Sequence, residues 1–220
     1  SGIGIIGGGK LTNEEAYLLQ KLARTGLRTN NVDYRTGRQV MASYGAYPGR
    51  MTDVATADGI LLIDTQLAER APVLDLRVRR AGERNEAKIV SIGSVHGTYR
   101  PAVIQINALP GEVAAALRGR EVLDAVSGCK KVVAIWGGHD AEIGRAIGEL
   151  LEKLSEGGAS VHLLIPGEQG NGRGAEWMGV HPALLPGGRR LAEARDRQAV
   201  EKLWGTELPA EPGLSTREML

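Results

Sequence analysis

The sequence alternates short runs of β-branched and aliphatic residues with longer stretches in which apolar side chains recur every three or four positions. The short runs predict strands, at residues 3–6, 60–63, 87–92, 103–106, 132–136 and 161–165, and we expect the first two of them to be buried. The longer stretches predict helices, which begin after Thr12 and at Pro72 and lie at residues 112–117, 121–126, 141–154 and 190–204. Alternating strands and helices favour an α/β fold with mainly parallel sheets that helices cover on both faces.

Local signals mark the ends of several predicted helices. Thr12 and Glu15 form a capping-box pattern at the start of the first helix, and Gly26 follows its last apolar position. The face of this helix predicted to pack on the core carries Ala16, Leu19, Leu22 and Ala23. The helix after Pro72 takes its apolar positions from Val73, Leu76 and Val78. Because the sequence starts in a strand-like run and stops barely one turn after a capping pattern at Ser215 and Glu218, we expect an interior piece of a longer protein.

Two glycine patterns near the start resemble nucleotide-binding motifs. Gly2, Gly4 and Gly7 match G-x-G-x-x-G, and residues 4–10 match most of a phosphate loop. Both motifs need glycines after the strand, whereas Gly2 and Gly4 lie before or inside it, and Leu11 replaces the Ser or Thr that binds magnesium. We therefore favour a tight glycine turn. The alternative is that residues 7–9 let a ligand or another backbone segment approach closely.

A second glycine turn, Gly137-Gly138-His139-Asp140, follows the strand predicted at residues 132–136 and opens a helix. In an open α/β sheet such a turn lies at the carboxyl edge, where ligands bind. His139 could act there as an acid or base. Asp140 is more simply the N-cap of the following helix, and we favour the cap because no nucleophile accompanies the histidine in the sequence.

Two polar segments carry further candidates. Asn30, Asn31, Asp33 and Arg35 follow the first helix, where they either bind a ligand or stabilise turns. Residues 170–188 either contact a phosphate or a partner through Arg173, or form an Ω-like loop with Trp177 and Met178 packed inward. The sequence leaves both pairs of alternatives open. The positions that would contact a nucleotide are Gly8, Gly9, Asn30, Asn31, Asn171 and Arg173.

Composition excludes several classes of function. The 220 residues carry 27 Lys and Arg against 26 Asp and Glu, and a net charge of +1 does not support a nucleic-acid-binding or membrane-binding protein. Cys129 is the single cysteine, and the four histidines form no metal-ligand pattern, so we expect no disulfide, metal site or iron–sulfur cluster in this sequence. No run approaches the ~20 apolar residues of a spanning helix. The cysteine usage is typical of a cytoplasmic protein.

Three blocks of the sequence resemble the molybdopterin oxidoreductase superfamily, which includes the formate dehydrogenases. They are KLTNEEAYLLQKLAR…TNNVD at residues 10–33, ADGILLIDTQLAERAPVLDLRVRRA at 57–81 and GNGRGAEWMGVHPALLPG at 170–187. Their order and coverage are similar to those of the large G-subunits of bacterial NADH:quinone oxidoreductase, respiratory complex I. The resemblance implies a Rossmann-like fold of the kind found in formate dehydrogenase and DMSO reductase.

Departures from the family pattern imply that the pterin chemistry has been lost. None of the blocks provides the Cys, selenocysteine or Ser that holds molybdenum in active members. Asp64 and Gln66 stand where cofactor-binding members have Gly and Asn, and a carboxylate facing a pyrophosphate is repulsive. Ile92-Gly93-Ser94 stands where the family usually has Asp-Pro-Arg. The resemblance therefore implies a fragment that has no cofactor and no catalytic residue of its own.

The resemblance also implies a domain arrangement and partners. Residues 1–28 and 120–220 are expected to form one discontinuous Rossmann-like subdomain, with residues 29–119 inserted as a second. The expected role is structural, among the other subunits of the complex I hydrophilic arm at the inner face of the cell membrane. Iron–sulfur clusters are expected in the amino-terminal part of the parent chain, outside this sequence.

Two alternatives remain within the resemblance. One is a binding module that keeps a vestigial nucleotide or pterin site, and the other is a piece of an active molybdopterin enzyme such as a formate dehydrogenase. An independent NAD-dependent enzyme is disfavoured, because the glycines are misplaced and no ribose-binding carboxylate is evident after the first helix.

Overall fold

The computed structural model describes residues 2–35, 47–99, 103–138, 140–167 and 169–220. The chain divides into two compact units. The flanking unit comprises Ser1–Arg38 and Gly167–Leu220, and the inserted unit comprises Gln39–Pro166. No helix within the described ranges is long and apolar enough to cross a bilayer.

The secondary structure follows the predicted alternation of strands and helices. The strands are β1 (Ile5–Ile6), β2 (Val32–Asp33), β3 (Gly59–Ile63), β4 (Lys88–Gly93), β5 (Ile104–Asn107), β6 (Lys131–Trp136), β7 (Ser160–Leu164), β8 (Leu184–Leu185) and β9 (Arg189–Arg190). The helices are α1 (Asn13–Lys21), α2 (Met51–Val54), α3 (Leu67–Arg70), α4 (Pro72–Asn85), α5 (Val113–Arg118), α6 (Arg120–Ala125), α7 (Ala141–Glu156), α8 (Gly172–Trp177), α9 (Ala194–Trp204) and α10 (Thr216–Met219). A π-helical turn, Leu22–Gly26, continues α1 and ends at the predicted glycine.

A five-stranded parallel sheet forms the centre of the inserted unit, in the order β5-β4-β3-β6-β7. Every residue of β3 is buried, as expected for a central strand covered on both faces. Its side chains alternate between the two faces, so Leu61 and Ile63 pack with α5, α6 and α7, whereas Ile60 and Leu62 pack with α3 and α4. The predicted α/β fold, with helices on both faces of a parallel sheet, is therefore confirmed.

The flanking unit contains two small sheets. β1 and β2 pair in parallel, and β8 and β9 form an antiparallel hairpin. Gly187 and Gly188 turn this hairpin with φ of 81° and 70°, which glycine adopts without steric cost. Two small apolar clusters stabilise the unit. The first contains Ala16, Ala23, Val32, Tyr34, Ala175 and Val180, and the second contains Leu185, Leu191, Val200 and Leu208.

The division into units differs from the predicted boundaries. Residues 120–166 were assigned to the discontinuous subdomain, but β6, α7 and β7 lie in the inserted unit. The reason is strand pairing, because β6 lies beside β3 in register from Gly59–Val132 to Ile63–Trp136. The inserted unit comprises Gln39–Pro166, whereas the resemblance implied an insertion of residues 29–119.

Several predicted burial patterns are wrong. The first strand is two residues long, and Ile3 and Ile6 are 47% and 44% exposed instead of buried. Leu22 was predicted to face the core and is 55% exposed, because the π-helical turn shifts the periodicity of the helix at that point. Residues 170–188 contain α8 and part of a hairpin instead of an Ω-like loop, and Trp177 is 56% exposed. Met178 does pack against the first cluster of the flanking unit.

Candidate functional site

The strand order of the inserted unit defines where a ligand would bind. From β3 the chain adds β4 and β5 on one side of the sheet, and then returns to add β6 and β7 on the other. The order therefore reverses between β3 and β6. In open α/β sheets, ligands bind outside the carboxyl ends of the two strands that flank such a point. Asp64 follows β3 and Gly137 follows β6, so these two turns form the expected edge.

A crevice of about 350 Å³ lies at the carboxyl ends of β3 and β4. Asp64 adopts a left-handed conformation with φ of 43°, and its amide donates to the Ile92 carbonyl at 2.9 Å. Gly93 faces it with φ of 147°, a backbone conformation that other residues rarely adopt. The crevice is lined by Asp64, Thr65, Gln66, Glu69, Arg70, Ser94 and Val95.

The crevice lining is polar and carries two carboxylates. Asp64 and Glu69 outnumber Arg70, the one cation among the described residues of the lining, so the crevice disfavours an anionic ligand such as a pyrophosphate, because like charges repel at short range. The Thr65 hydroxyl is buried and has no hydrogen-bond partner among the described residues. Buried polar atoms are normally paired, so this hydroxyl is an exception among the residues that line the crevice. The arrangement suits a small ligand that carries hydrogen-bond donors.

At the second turn of this edge, a side chain of the protein itself binds the free amides at the start of α7. Asp140 caps α7, and its carboxylate accepts hydrogen bonds from the amides of Glu142 at 2.7 Å and Ile143 at 3.2 Å. This confirms the predicted N-cap. The carboxylate occupies the position in which an anion would bind at a helix N-terminus, so it competes with a phosphate group there. His139, the alternative acid or base, lies outside the described residues.

The glycine turn of the flanking unit is approached by the chain itself. The amide of Gly9 donates to the side-chain oxygen of Gln169, which packs so closely that a Cβ at position 9 would overlap it. The Gly9 carbonyl accepts from the Asn171 amide at 2.6 Å, and the Asn171 side chain donates to the Leu11 carbonyl at 2.7 Å. The close approach considered for residues 7–9 is therefore made by another segment of the chain, the residues that precede α8. A Cβ on Gly8 would meet no atom within 4 Å.

Asn30 and Asn31 hold the segment that precedes α10. The Asn30 side chain donates to the carbonyls of Pro209 at 2.9 Å and Glu211 at 2.7 Å. The Asn31 side-chain oxygen accepts from the Leu214 amide at 2.9 Å. These contacts correspond to the structural alternative for the polar cluster. Arg173 lies in α8. Burial raises the pKa of the nearby Glu176, and the charge of Arg173 opposes part of that rise.

Asp33 joins β2 to α10. Its carboxylate pairs with Arg35 at 2.8 Å and accepts from the Thr216 amide at 3.0 Å. Burial opposes ionisation, but the Arg35 hydrogen bond and charge prevail and lower the pKa of Asp33. The carboxylate is therefore ionised and engaged inside the unit. These contacts of Asp33 and Arg35 also correspond to the structural alternative for the polar cluster.

Arg24 is a buried residue that the sequence analysis missed. Its guanidinium is fully buried, and burial lowers its pKa to about 10. All five of its N–H groups donate hydrogen bonds within 3.1 Å. The acceptors are the side chains of Gln20 and Asn30 and the carbonyls of Gly179, His181 and Leu184. An arginine in an amphipathic helix is usually exposed, so no local signal in the sequence marks it.

His181 is a second buried polar residue of the flanking unit. Its Nδ1 accepts from the Ala183 amide at 3.0 Å, and its Nε2 has no partner within the described ranges. Burial, together with the charges of Arg35 and Arg24, lowers the pKa of His181 to about 3. The imidazole is therefore neutral at physiological pH.

The single cysteine lies at the edge of the sheet opposite to the crevice. Cys129 precedes β6 and its thiol donates to the Asp58 carbonyl at 3.5 Å, at the amino edge of the sheet. Burial raises the pKa of the thiol, which reduces its reactivity. Across the part of the chain that the structure covers, no three His, Cys, Asp or Glu side chains are grouped to hold a metal ion.

Residues 1–154 match the molybdopterin oxidoreductase family. The G-subunit of NADH-quinone oxidoreductase from Streptomyces coelicolor is 28% identical over 254 residues, and the match covers 99% of this chain and 30% of that protein. The F420-dependent formate dehydrogenase subunit alpha of Methanocaldococcus jannaschii is 33% identical over 119 residues, and the match covers 50% of this chain and 18% of that protein. The chain thus spans less than a third of the length of these relatives.

A solved structure shares the fold. The formyltransferase/hydrolase complex FhcABCD from Methylorubrum extorquens, in complex with methylofuran, contains a chain that matches with a TM-score of 0.56 and 15% identity. The match covers 96% of this chain and 77% of that one. At this identity the likeness concerns the architecture alone.

Proposed function

The chain belongs to the molybdopterin oxidoreductase family, and on that premise we propose that it is a structural part of an NADH:quinone oxidoreductase G-subunit without chemistry of its own. Its partners would be the other parts of that G-subunit and the neighbouring proteins of the hydrophilic arm, at the inner face of the cell membrane. Relatives that are G-subunits of NADH-quinone oxidoreductase, including the one from Streptomyces coelicolor, support this assignment. The iron–sulfur clusters of such a protein would lie outside these residues.

One observation carries the proposal: the polar groups that could bind a dinucleotide are hydrogen-bonded to other residues of the chain. Gly9 contacts Gln169 and Asn171, while Asn30 holds the carbonyls of Pro209 and Glu211. These groups would have to exchange internal hydrogen bonds for bonds to a ligand, which removes most of the net gain from binding.

Charge supports the same conclusion in the inserted unit. Asp64 and Glu69 line the crevice, and Asp140 fills the N-terminus of α7. A pterin guanine dinucleotide carries a pyrophosphate, and these carboxylates would repel it. The lining therefore does not fit the cofactor that active members of the family bind.

The test is the cofactor content of the chain. The 220-residue chain would be produced in a bacterial host that makes molybdopterin guanine dinucleotide and is grown with molybdate. Molybdenum and iron would be measured by elemental analysis, and pterin by fluorescence after oxidation. The proposal expects none of them above the level of a purified protein of another family. A stoichiometric amount of pterin would contradict it.

A second candidate is a binding module for a small neutral or cationic ligand at the crevice. The unpaired Thr65 hydroxyl and the position of the crevice, next to the reversal in strand order, favour it. Guanosine is a suitable probe because its base donates hydrogen bonds that carboxylates accept. If the candidate is right, millimolar guanosine raises the melting temperature of the chain, and Thr65→Val weakens the effect. No shift with guanosine, GMP or GDP would reject it.

A further inference from the structure

Helix α4 has one buried face and one exposed face with a distinct composition. Its inner face packs on the sheet through Leu74, Val78 and Ala81. Its outer face carries Val73 and Leu76, which are 59% and 65% exposed. Both were expected to supply apolar positions of this helix, yet neither packs on the core. These two neighbouring aliphatic side chains give the outer helix face a small apolar surface.

A groove of about 590 Å³ runs along this outer face. Ala55 forms the far rim, and the Asn85 side chain donates to the Ala55 carbonyl at 2.7 Å, which fixes the rim to the end of α4. The groove is therefore held by a hydrogen bond before anything binds. Its lining consists of Ala55, Val73, Leu76, Arg77, Arg80, Ala81, Arg84 and Asn85.

Three exposed arginines line the groove with helical spacing. Arg77, Arg80 and Arg84 lie three and four positions apart, so they share one face of α4. The structure gives none of them an ion pair or hydrogen bond within the described residues. Because the whole chain has a net charge of only +1, this positive charge is local.

The fourth arginine of α4 provides the contrast. Arg79 binds the Asp75 carboxylate at 2.6 Å, donates to the Thr98 carbonyl at 2.7 Å and lies over the Tyr99 ring. The hydrogen bond to Asp75 raises the pKa of Arg79, and the charges of Asp75, Tyr99 and Glu83 add smaller effects in the same direction. Arg79 is thus used to hold the unit together, whereas the three groove arginines are left to the surface.

We propose that this groove binds an acidic amphipathic helix of a partner protein. Arginine binds carboxylates through two parallel hydrogen bonds, so three arginines at helical spacing match carboxylates at the same spacing on a facing helix. Val73 and Leu76 supply the apolar contact that such a helix needs beside its acidic stripe. A nucleic acid backbone would use the arginines but would leave the two aliphatic side chains without a partner. The inference rests on this surface alone and does not depend on the proposed function.

The experiment measures binding of designed peptides to the 220-residue chain by fluorescence anisotropy. The probes are helical peptides of about 15 residues that carry glutamates at spacings of three and four beside a leucine stripe, written in both helix directions. Matched peptides carry glutamine in place of glutamate. The variant is Arg77→Glu with Arg84→Glu, and the matched control is Arg195→Glu with Arg217→Glu, two exposed arginines on α9 and α10. Circular dichroism verifies that each variant is folded.

The expected result is that a glutamate peptide binds and its glutamine counterpart does not. The groove variant weakens binding by at least about tenfold, while the control variant stays within about twofold. Leu76→Ser also weakens binding, and a lysine peptide of the same design restores binding to the groove variant. The proposal is overturned if no glutamate peptide binds better than its glutamine counterpart, or if both double variants lose affinity equally. It is also overturned if single-stranded RNA or anionic vesicles bind the same arginines more tightly than every peptide.

Discussion

Replacing Arg24 with methionine should unfold the flanking unit selectively. Hydrogen bonds to a charged group contribute about 1.5 kcal/mol or more each, so the five that Arg24 makes sum to about 7.5 kcal/mol. Burial opposes this, because lowering the pKa from 12.5 to about 10 corresponds to about 3 kcal/mol. The difference is a loss of about 4 kcal/mol, close to the usual cost of removing a buried hydrogen-bonded charge.

The assay is equilibrium unfolding in urea followed by tryptophan fluorescence. Trp177 and Trp204 lie in the flanking unit and Trp136 lies in the inserted unit, so the two transitions can be separated. Arg24→Lys should recover only part of the loss, since an ammonium has three donors. Arg195→Met, at an exposed position of α9, is the matched control and should change stability by less than about 0.5 kcal/mol. A loss below about 1 kcal/mol in Arg24→Met would refute the reasoning.

Three further predictions follow from buried groups and close contacts. The pKa of His181 falls from 6.5 to about 3 on folding. As the pH falls from about 7.5 to about 5, the unfolded chain binds a proton that the folded chain does not, and the free energy of unfolding of the flanking unit decreases by about 2 kcal/mol. In urea titrations at several pH values, His181→Asn should flatten this dependence, and an unchanged dependence would contradict the reasoning. Asp140→Ala removes the α7 cap and should cost the inserted unit about 1 kcal/mol of unfolding free energy. A Cβ on Gly213 would overlap the Asn30 backbone, so Gly213→Ala should lower the melting temperature, and an unchanged value would contradict the contact.

The sequence was sufficient where structure depends on neighbours in the chain. Capping boxes at Thr12 and Ser215 and the N-cap at Asp140 are present as predicted. The buried strand at residues 60–63 is also confirmed. A short run of β-branched and aliphatic residues between turns is typical of a buried strand. These features involve residues within four positions of one another, or a uniform apolar run.

Features that depend on distant contacts could not be predicted from the residues. The pairing of β6 with β3 joins residues about 73 apart, and alternation alone does not say which sheet a strand enters. Arg24 meets acceptors about 155 residues away, so its burial has no local signal. Of the candidate site, the carboxyl-edge turns were predicted, but Thr65 and the groove on α4 were not, since only the assembled surface shows them.

The central claim is that this domain keeps a cofactor-binding architecture without the ability to hold the cofactor. Its most direct test is equilibrium binding of molybdopterin guanine dinucleotide, released from an active enzyme and mixed with the purified chain under anaerobic conditions. Pterin fluorescence should elute apart from the protein on gel filtration at every ratio, also for Asp64→Asn with Asp140→Asn, because internal hydrogen bonds still occupy Gly9, Asn30 and Asn171. Co-elution of one pterin per wild-type chain would contradict the account.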